Sequence, residues 1–303
     1  MRIDNQRRSD NFEDRGRGRG GGGMSGGRAL SLRGMSLRTI IIIGLVLLGV
    51  YFFAPANIRA MVFGALGFNV GQGALETSGS TCEAHAEACD FSRAVLGSTE
   101  DVWIAQFSQG RLPQYNNTPV GAYQQPTLAV FSDQVSTGCG VAPSSVGPFY
   151  CPADGNLYID PTFYETMQSR LNAPGDFAQA YVIAHEVGHH VQNLIGANQI
   201  GVRGESQNQT SVRVELQADC LAGVWGHTAR STLQIDDADL REALNAAHAI
   251  GDDTLQRQSQ GYVNPSQFSH GSSAQRMAWF RRGFDSGDAR QCDTFAVQSY
   301  DAL

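Results

Sequence analysis

The stretch 181–192, Tyr-Val-Ile-Ala-His-Glu-Val-Gly-His-His-Val-Gln, constrains this chain more than any other. Ile183, Val187, Val191 and Leu194 recur at three- and four-residue spacing, as on a helix with one apolar stripe turned to a core. On such a helix His185 and His189 stand one turn apart on a single face. Two neutral imidazoles so placed can bind one Zn²⁺ at about 2.0–2.1 Å each. Glu186, one residue round, can reach a water beside the metal without taking a ligand position, which is the place of a general base. The pattern predicts zinc-dependent hydrolytic chemistry; the bland alternative is an amphipathic helix with two surface histidines.

A third ligand has to come from elsewhere. A metzincin would carry glycine at 192 and histidine at 195, whereas this chain has Gln192 and Ile195. Further on, a second helix-periodic run, 211–225, carries Glu215 and Asp219 four apart. Alone, that pair reads better as a solvated helix face. Beside the first motif, Glu-x-x-x-Asp resembles the gluzincin pattern. The resemblance implies Glu215 as third ligand and Asp219 as the carboxylate that holds the outward ring nitrogen of a ligand histidine, fixing its tautomer.

Charge divides the chain. All 22 basic residues are arginine. Residues 1–38 hold nine of them against four acids, a balance of +5, so a chain of net charge −7 leaves −12 on residues 39–303. The Arg-Gly tract from Arg15 to Gly27 is too poor in apolar groups to fold by itself, and residues 1–38 read as a disordered tail. A nucleic-acid role is not expected: Phe12 is the one aromatic available for stacking, and the acidic remainder would repel a polyanion. A basic segment held near anionic lipid headgroups fits better.

Residues 39–58 are a 20-residue window without a charge, between Arg38 and Arg59. That is the length of a helix crossing a hydrocarbon layer of about 30 Å, and Tyr51, Phe52 and Phe53 suit its interface. A cleaved signal peptide is the competitor, but a 38-residue leader is long for one and Pro55 interrupts the faint Ala54-Pro55-Ala56 cleavage pattern. The expectation is one transmembrane helix with a cytoplasmic N-terminus and everything after it outside the cytoplasm, at the cell (inner) membrane. Residues 59–97, rich in Gly, Ala and Ser, then read as a stalk.

From Ser98 the texture becomes globular. Ser98-Thr99-Glu100-Asp101 predicts a helix start, 127–131 a strand, and 147–151 with 156–160 a hairpin turning through Asp154-Gly155. In zincins, the strand at this place is the edge along which an extended substrate lies. Gly175-Asp176 opens the His-Glu helix and Gly196 closes it. One helix is expected from Asp236 to Gln260, with His227 and His248 as ordinary helix residues. Six cysteines in a segment placed outside the cytoplasm read as disulfides, and of the 15 connectivities we expect 82–89, 139–151 and 220–292.

The order of these motifs resembles the bacterial predicted neutral zinc metallopeptidases. The likeness includes Arg7-Arg8-Ser9-Asp10-Asn11-Phe12-Glu13-Asp14-Arg15, Val146 to Pro152, Pro174 to Tyr181, the two metal helices and Gln291-Cys292-Asp293-Thr294-Phe295. It implies an α+β zincin-like metallopeptidase domain over residues 98–303, with a small antiparallel or mixed sheet, preceded by one transmembrane helix. It further implies a membrane-anchored endopeptidase acting on peptides or proteins, with Zn²⁺ on His185, His189 and Glu215 and with Glu186 as base. The competing class is a zinc-binding module that holds a partner peptide without cutting it, against which an intact Glu186 speaks. His270, ahead of Gly271-Ser272-Ser273 and a new helix, resembles a histidine that donates to the developing oxyanion in related membrane gluzincins. Arg276 would orient it or pair with Glu215. His270 reads equally as a turn residue, in which case Tyr181, Tyr262 or His227 would be the donor.

Overall fold

A computed structural model describes residues 1–19, 76–115 and 120–303. Among these residues the fold is α+β, with seven strands and eight helices. In chain order the elements are β1 (Phe12–Arg19), β2 (Glu76–Ser78), α1 (Thr81–Ala84), α2 (Ala86–Ser108), β3 (Leu128–Ser132), β4 (Gln134–Thr137), β5 (Gly140–Pro143), β6 (Phe149–Cys151), β7 (Asn156–Ile159), α3 (Thr162–Ser169), α4 (Asp176–Ile195), α5 (Gln207–Ala229), α6 (Asp237–Ala249), α7 (Asp252–Gln260) and α8 (Ser273–Ser286). Five strands form a mixed sheet in the order β2-β1-β3-β7-β6, while β4 and β5 pair separately. β1, β3 and β7 run parallel and the two outer strands antiparallel. The expected hairpin is β6–β7, with Cys151 opposite Asn156, and β6 is an edge of the sheet.

The first 19 residues do not form the expected tail. β1 lies between β2 and β3, with Phe12 opposite Leu128 and Arg17 opposite Ser78. The preceding residues lie on α2 through the fully buried carboxylate of Glu100, which accepts from Arg7 Nη2 (2.7 Å), the Ser9 hydroxyl (2.6 Å) and Asn11 Nδ2 (2.8 Å). Arg8 pairs with Asp90 at 2.6 Å, and Asp14 accepts from the backbone N–H groups of Thr81 and Cys82 at the start of α1. The arginine excess of the N-terminus is thus partly matched by acids on α2. Charge complementarity and backbone pairing replace the apolar surface that the segment lacks.

The same contacts correct two further expectations. Residues 81–97 are helical rather than stalk, and the helix predicted to open at Ser98 begins at Ala86. Gly97, inside that helix, is where the N-terminal segment crosses it. A Cβ on it would stand 2.7 Å from the Arg7 carbonyl oxygen, so its bare backbone is what lets the N-terminal segment lie across α2. The apolar window 39–58 lies outside the described residues, as does most of the Arg-Gly tract. Among the described residues no helix is long and apolar enough to cross a membrane.

The helices pack as a layer behind the sheet, with Trp103, Trp225, Phe177, Tyr181 and Phe280 among the largest fully buried side chains. Phe177 stacks on Trp225 and Tyr181 meets Phe280 edge-on. α4 begins at Asp176 and stops at Gly196 in the left-handed region (φ 76°), as its sequence predicts. Its start is capped from outside: the Glu242 carboxylate on α6 accepts from Phe177 N at 3.1 Å. The single helix expected over 236–260 is two, because the chain breaks at Gly251, where a Cβ would lie 2.3–2.5 Å from Ser273 atoms. All three expected disulfides are present.

Replacing Glu100 by Ala strips the buried Ser9 hydroxyl and the half-buried Asn11 amide of this acceptor, and the exposed Arg7 of one partner, a cost of about 1–3 kcal/mol. We expect amide exchange in β1 to accelerate while β7 stays protected. Unchanged protection of β1 would mean that Glu100 does not hold the N-terminal segment.

Candidate metal centre

α4 supplies both histidines, and the two rings stand 4.7 Å apart between centroids. Glu215 comes from α5, with Oε2 at 3.3 Å from His185 Nε2 and Oε1 at 3.5 Å from His189 Nε2. The ligand atoms of His185, His189 and Glu215 all lie within 4.8 Å of one another. α5 can come this close because Gly188, the second variable residue of His-Glu-x-x-His, has no side chain. A Cβ there would sit 2.9 Å from the Ala218 carbonyl oxygen on α5.

Each histidine is held from behind. Asp219 Oδ1 lies 2.8 Å from His185 Nδ1, as the Glu-x-x-x-Asp pattern anticipates. That carboxylate also accepts from Arg276 through Nε (2.8 Å) and Nη2 (2.9 Å), and from the Tyr181 hydroxyl (2.5 Å). Asp219, Arg276 and Tyr181 are all buried, so the ion pair is hydrogen-bonded on several sides, as a buried pair must be. Two expectations change here. Arg276 pairs with Asp219 rather than Glu215, and Tyr181 spends its hydroxyl hydrogen on Asp219, which removes it as a free donor.

His189 has an amide behind it: Gln192 Oε1 lies 2.8 Å from its Nδ1. In the sequence, Gln192 serves only to exclude a metzincin. The three-residue step that places it on the same helix face is the signal that could have shown its role. Glu186, half-buried, makes no hydrogen bond or ion pair among the described residues. Burial holds its carboxyl above the ordinary glutamate value, against the pull of the two histidines.

His270 sits in the loop entering α8. Asp252, the first residue of α7, collects the backbone N–H groups of Ser269, His270 and Gly271 on Oδ2 and faces His270 Nδ1 with Oδ1 at 3.2 Å. The Ser211 hydroxyl donates to the Ser269 carbonyl, tying the loop to α5 one turn before Glu215. Burial alone would favour neutral His270, but the hydrogen bond to Asp252 and the charge of Glu215 carry its pKa above the usual value. Asp252 carries no local signal, because it is presented by the helix break at Gly251, inside a stretch whose pattern is continuous helix. His227 bonds the Phe284 carbonyl about three turns beyond Glu215, and Tyr262 is solvent-exposed.

The electrostatics suit a divalent cation. Burial lowers the pKa of His185, but Asp219 and Glu215 outweigh it and raise it to about 10. Glu215 moves the other way: burial raises its pKa, and the neighbouring histidines, led by His189, pull it well below the ordinary glutamate value. Two imidazoles and one carboxylate, with the outward nitrogen of each imidazole already occupied, are the donor set and orientation that zinc takes with an open fourth position. The residues present fit that ion.

Helix-borne histidines four apart, a glutamate from a neighbouring helix and a free glutamate beside them make up a candidate His-Glu-x-x-His metal site on an α+β scaffold. The chain belongs to the family described as "Putative neutral zinc metallopeptidase", which matches it over residues 1–295. It is 46% identical over 303 residues to a protein of Escherichia coli K12 named uncharacterized protein YpfJ, an alignment covering 97% of this chain and 99% of that protein. It is also 46% identical over 189 residues to the uncharacterized protein Rv2575 of Mycobacterium tuberculosis H37Rv, covering 58% of this chain and 64% of that one. No solved structure matches. The family implies zinc and a peptidase acting on a peptide or protein; neither relative's name states an activity.

A methyl group at 188 would force α4 and α5 apart. Gly188→Ala should weaken zinc binding on the order of tenfold or more while helical circular dichroism is kept. Wild-type zinc affinity in that variant would show that interhelix distance does not set the ligand geometry.

Proposed function

We propose that the chain is a zinc-dependent endopeptidase with His185, His189 and Glu215 as the ligands and Glu186 as general base. One observation carries this: an unpartnered glutamate stands beside three converging ligand atoms, where a module that merely bound zinc would not need it. Zinc, when bound there, supplies a Lewis acid that polarises the scissile carbonyl and eases deprotonation of the attacking water. Glu186 accepts that proton as the water oxygen bonds to the carbonyl carbon. It returns the proton to the amine as the C–N bond breaks, leaving a carboxylate and an amine product. His270, protonated and with Nδ1–H turned to Asp252, has Nε2–H left to donate to the carbonyl oxygen as it gains charge. Attachment to a membrane through residues 39–58 and a catalytic domain outside the cytoplasm belong to the same reading. Three disulfides among six cysteines support an oxidising compartment.

Glu186→Gln should keep one zinc per chain and lower peptide turnover by at least about 10²-fold. Unchanged turnover at equal zinc content would sink the proposed mechanism.

The pH profile separates base from donor. The base works ionised, so activity is lost as pH falls through the raised pKa of Glu186. The donor works best protonated, so activity is lost as pH rises through the raised pKa of His270. His270→Phe should lower kcat on the order of 10²-fold, leave bound zinc and KM nearly unchanged, and flatten the alkaline limb. A full alkaline limb in that variant would assign the limb, and the donor, to another group.

A further inference from the structure

The carboxylate behind His185 has no direct counterpart behind His189. What stands there is a chain of neutral groups, and its direction can be read. Gln192 Nε2 is 2.6 Å from the Val214 carbonyl oxygen, and Gln217 Nε2 is 2.9 Å from that of Cys292. A carbonyl only accepts, so both amides have one orientation: nitrogen toward the carbonyl, oxygen toward the previous link. His189 Nδ1–H therefore donates to Gln192 Oε1 at 2.8 Å. Gln192 Nε2–H donates to Gln217 Oε1 at 3.1 Å, and Gln217 Nε2–H to the Tyr115 hydroxyl oxygen at 2.6 Å. The Tyr115 O–H then donates to Asp293 Oδ1 at 2.9 Å. Gln192 and Gln217 are completely buried and Tyr115 nearly so.

We propose that Gln192, Gln217, Tyr115 and Asp293 form a one-way hydrogen-bond relay that positions His189 as a metal ligand. The relay gives His189 at a distance what Asp219 gives His185 by contact: a fixed Nδ1–H tautomer, with the Nε2 lone pair turned to Glu215 and the metal. Each donor polarises the next, so the terminal carboxylate strengthens every link behind it. The segment Gln291-Cys292-Asp293-Thr294-Phe295 gains a task in this way. Cys292 is bonded to Cys220 on α5, its carbonyl orients Gln217, and Asp293 ends the relay. Thr294 fastens the segment to α5, its hydroxyl donating to the Arg213 carbonyl at 2.8 Å. These are positioning residues: none touches the metal or a substrate. The inference rests on the reading of His189 as a ligand.

The test is zinc affinity, measured by chelator competition, in a double-mutant cycle. Gln192→Leu should weaken zinc about 10–100-fold, and Tyr115→Phe should weaken it less. The double variant should be no weaker than Gln192→Leu alone, because the first cut has already severed everything downstream. Independent, multiplying losses would overturn the relay. The gentler pair Tyr115→Phe and Asp293→Asn should show the same non-additivity, and it decides the matter if Gln192→Leu does not fold. A readout without metal comes from ¹⁵N spectra of the imidazoles: neutral His189 should be the Nδ1–H tautomer in the parent and a mixture in Gln192→Leu. His189→Ala serves as the separate control. If it keeps parental zinc affinity, His189 is not a ligand and the larger reading fails. If it loses zinc while the relay variants keep both affinity and tautomer, the relay alone fails.

Discussion

The centre depends on backbone brought against backbone along α5. Gly188 on α4 lies against Ala218, while Gly223 on α5 and Gly283 on α8 face each other's helices so closely that a Cβ on either would fall about 2 Å from a carbonyl oxygen. Three helices are thereby locked at a separation that ordinary side chains would prevent. Glu215 then reaches between the two histidines of α4, and Arg276 of α8 reaches Asp219. Interiors pack too densely for such a spacing to give way by fractions of an ångström without cost.

Within that frame His185 and His189 are supported unequally. Behind His185 stands a charge-dense knot of Asp219, Arg276 and Tyr181, where each member would be costly to bury without the others. Behind His189 runs a line of amides and a phenol leading to Asp293. Both solutions fix a tautomer, but the first concentrates charge at the metal and the second keeps it remote. The centre thus has one carboxylate, Glu215, facing both histidines and another, Asp219, already paired with arginine, while the Glu186 side chain has no hydrogen-bond partner among the described residues.

Much of the centre was legible because its signals are local. His185, Glu186 and His189 are fixed by helical spacing, α4 by Gly175 and Gly196, and Glu215 with Asp219 by a second i, i+4 pair. The three cysteine pairings and the β6–β7 hairpin also matched. What could not be read has its cause far along the chain. Gln192 looks like any polar helix residue until Gln217, Tyr115 and Asp293 are in place. Gly251 ends a helix where Ser273 packs against it, and Ser98 starts none because the helix already runs from Ala86. The first nineteen residues are the largest miss: their Arg-Gly composition describes a tail, and only Glu100, Asp90 and the edge of β3 turn them into a strand.

That strand has a consequence for the start of the chain. β1 stands inside the sheet, with β2 on one side and β3 on the other, and Arg19 is opposite Glu76. Trimming the first nineteen residues as though they were an arginine-rich tail would take out an interior strand, strip β2 of its partner and leave the buried Glu100 carboxylate without the three donors it accepts from. What composition marks as dispensable is built into the sheet.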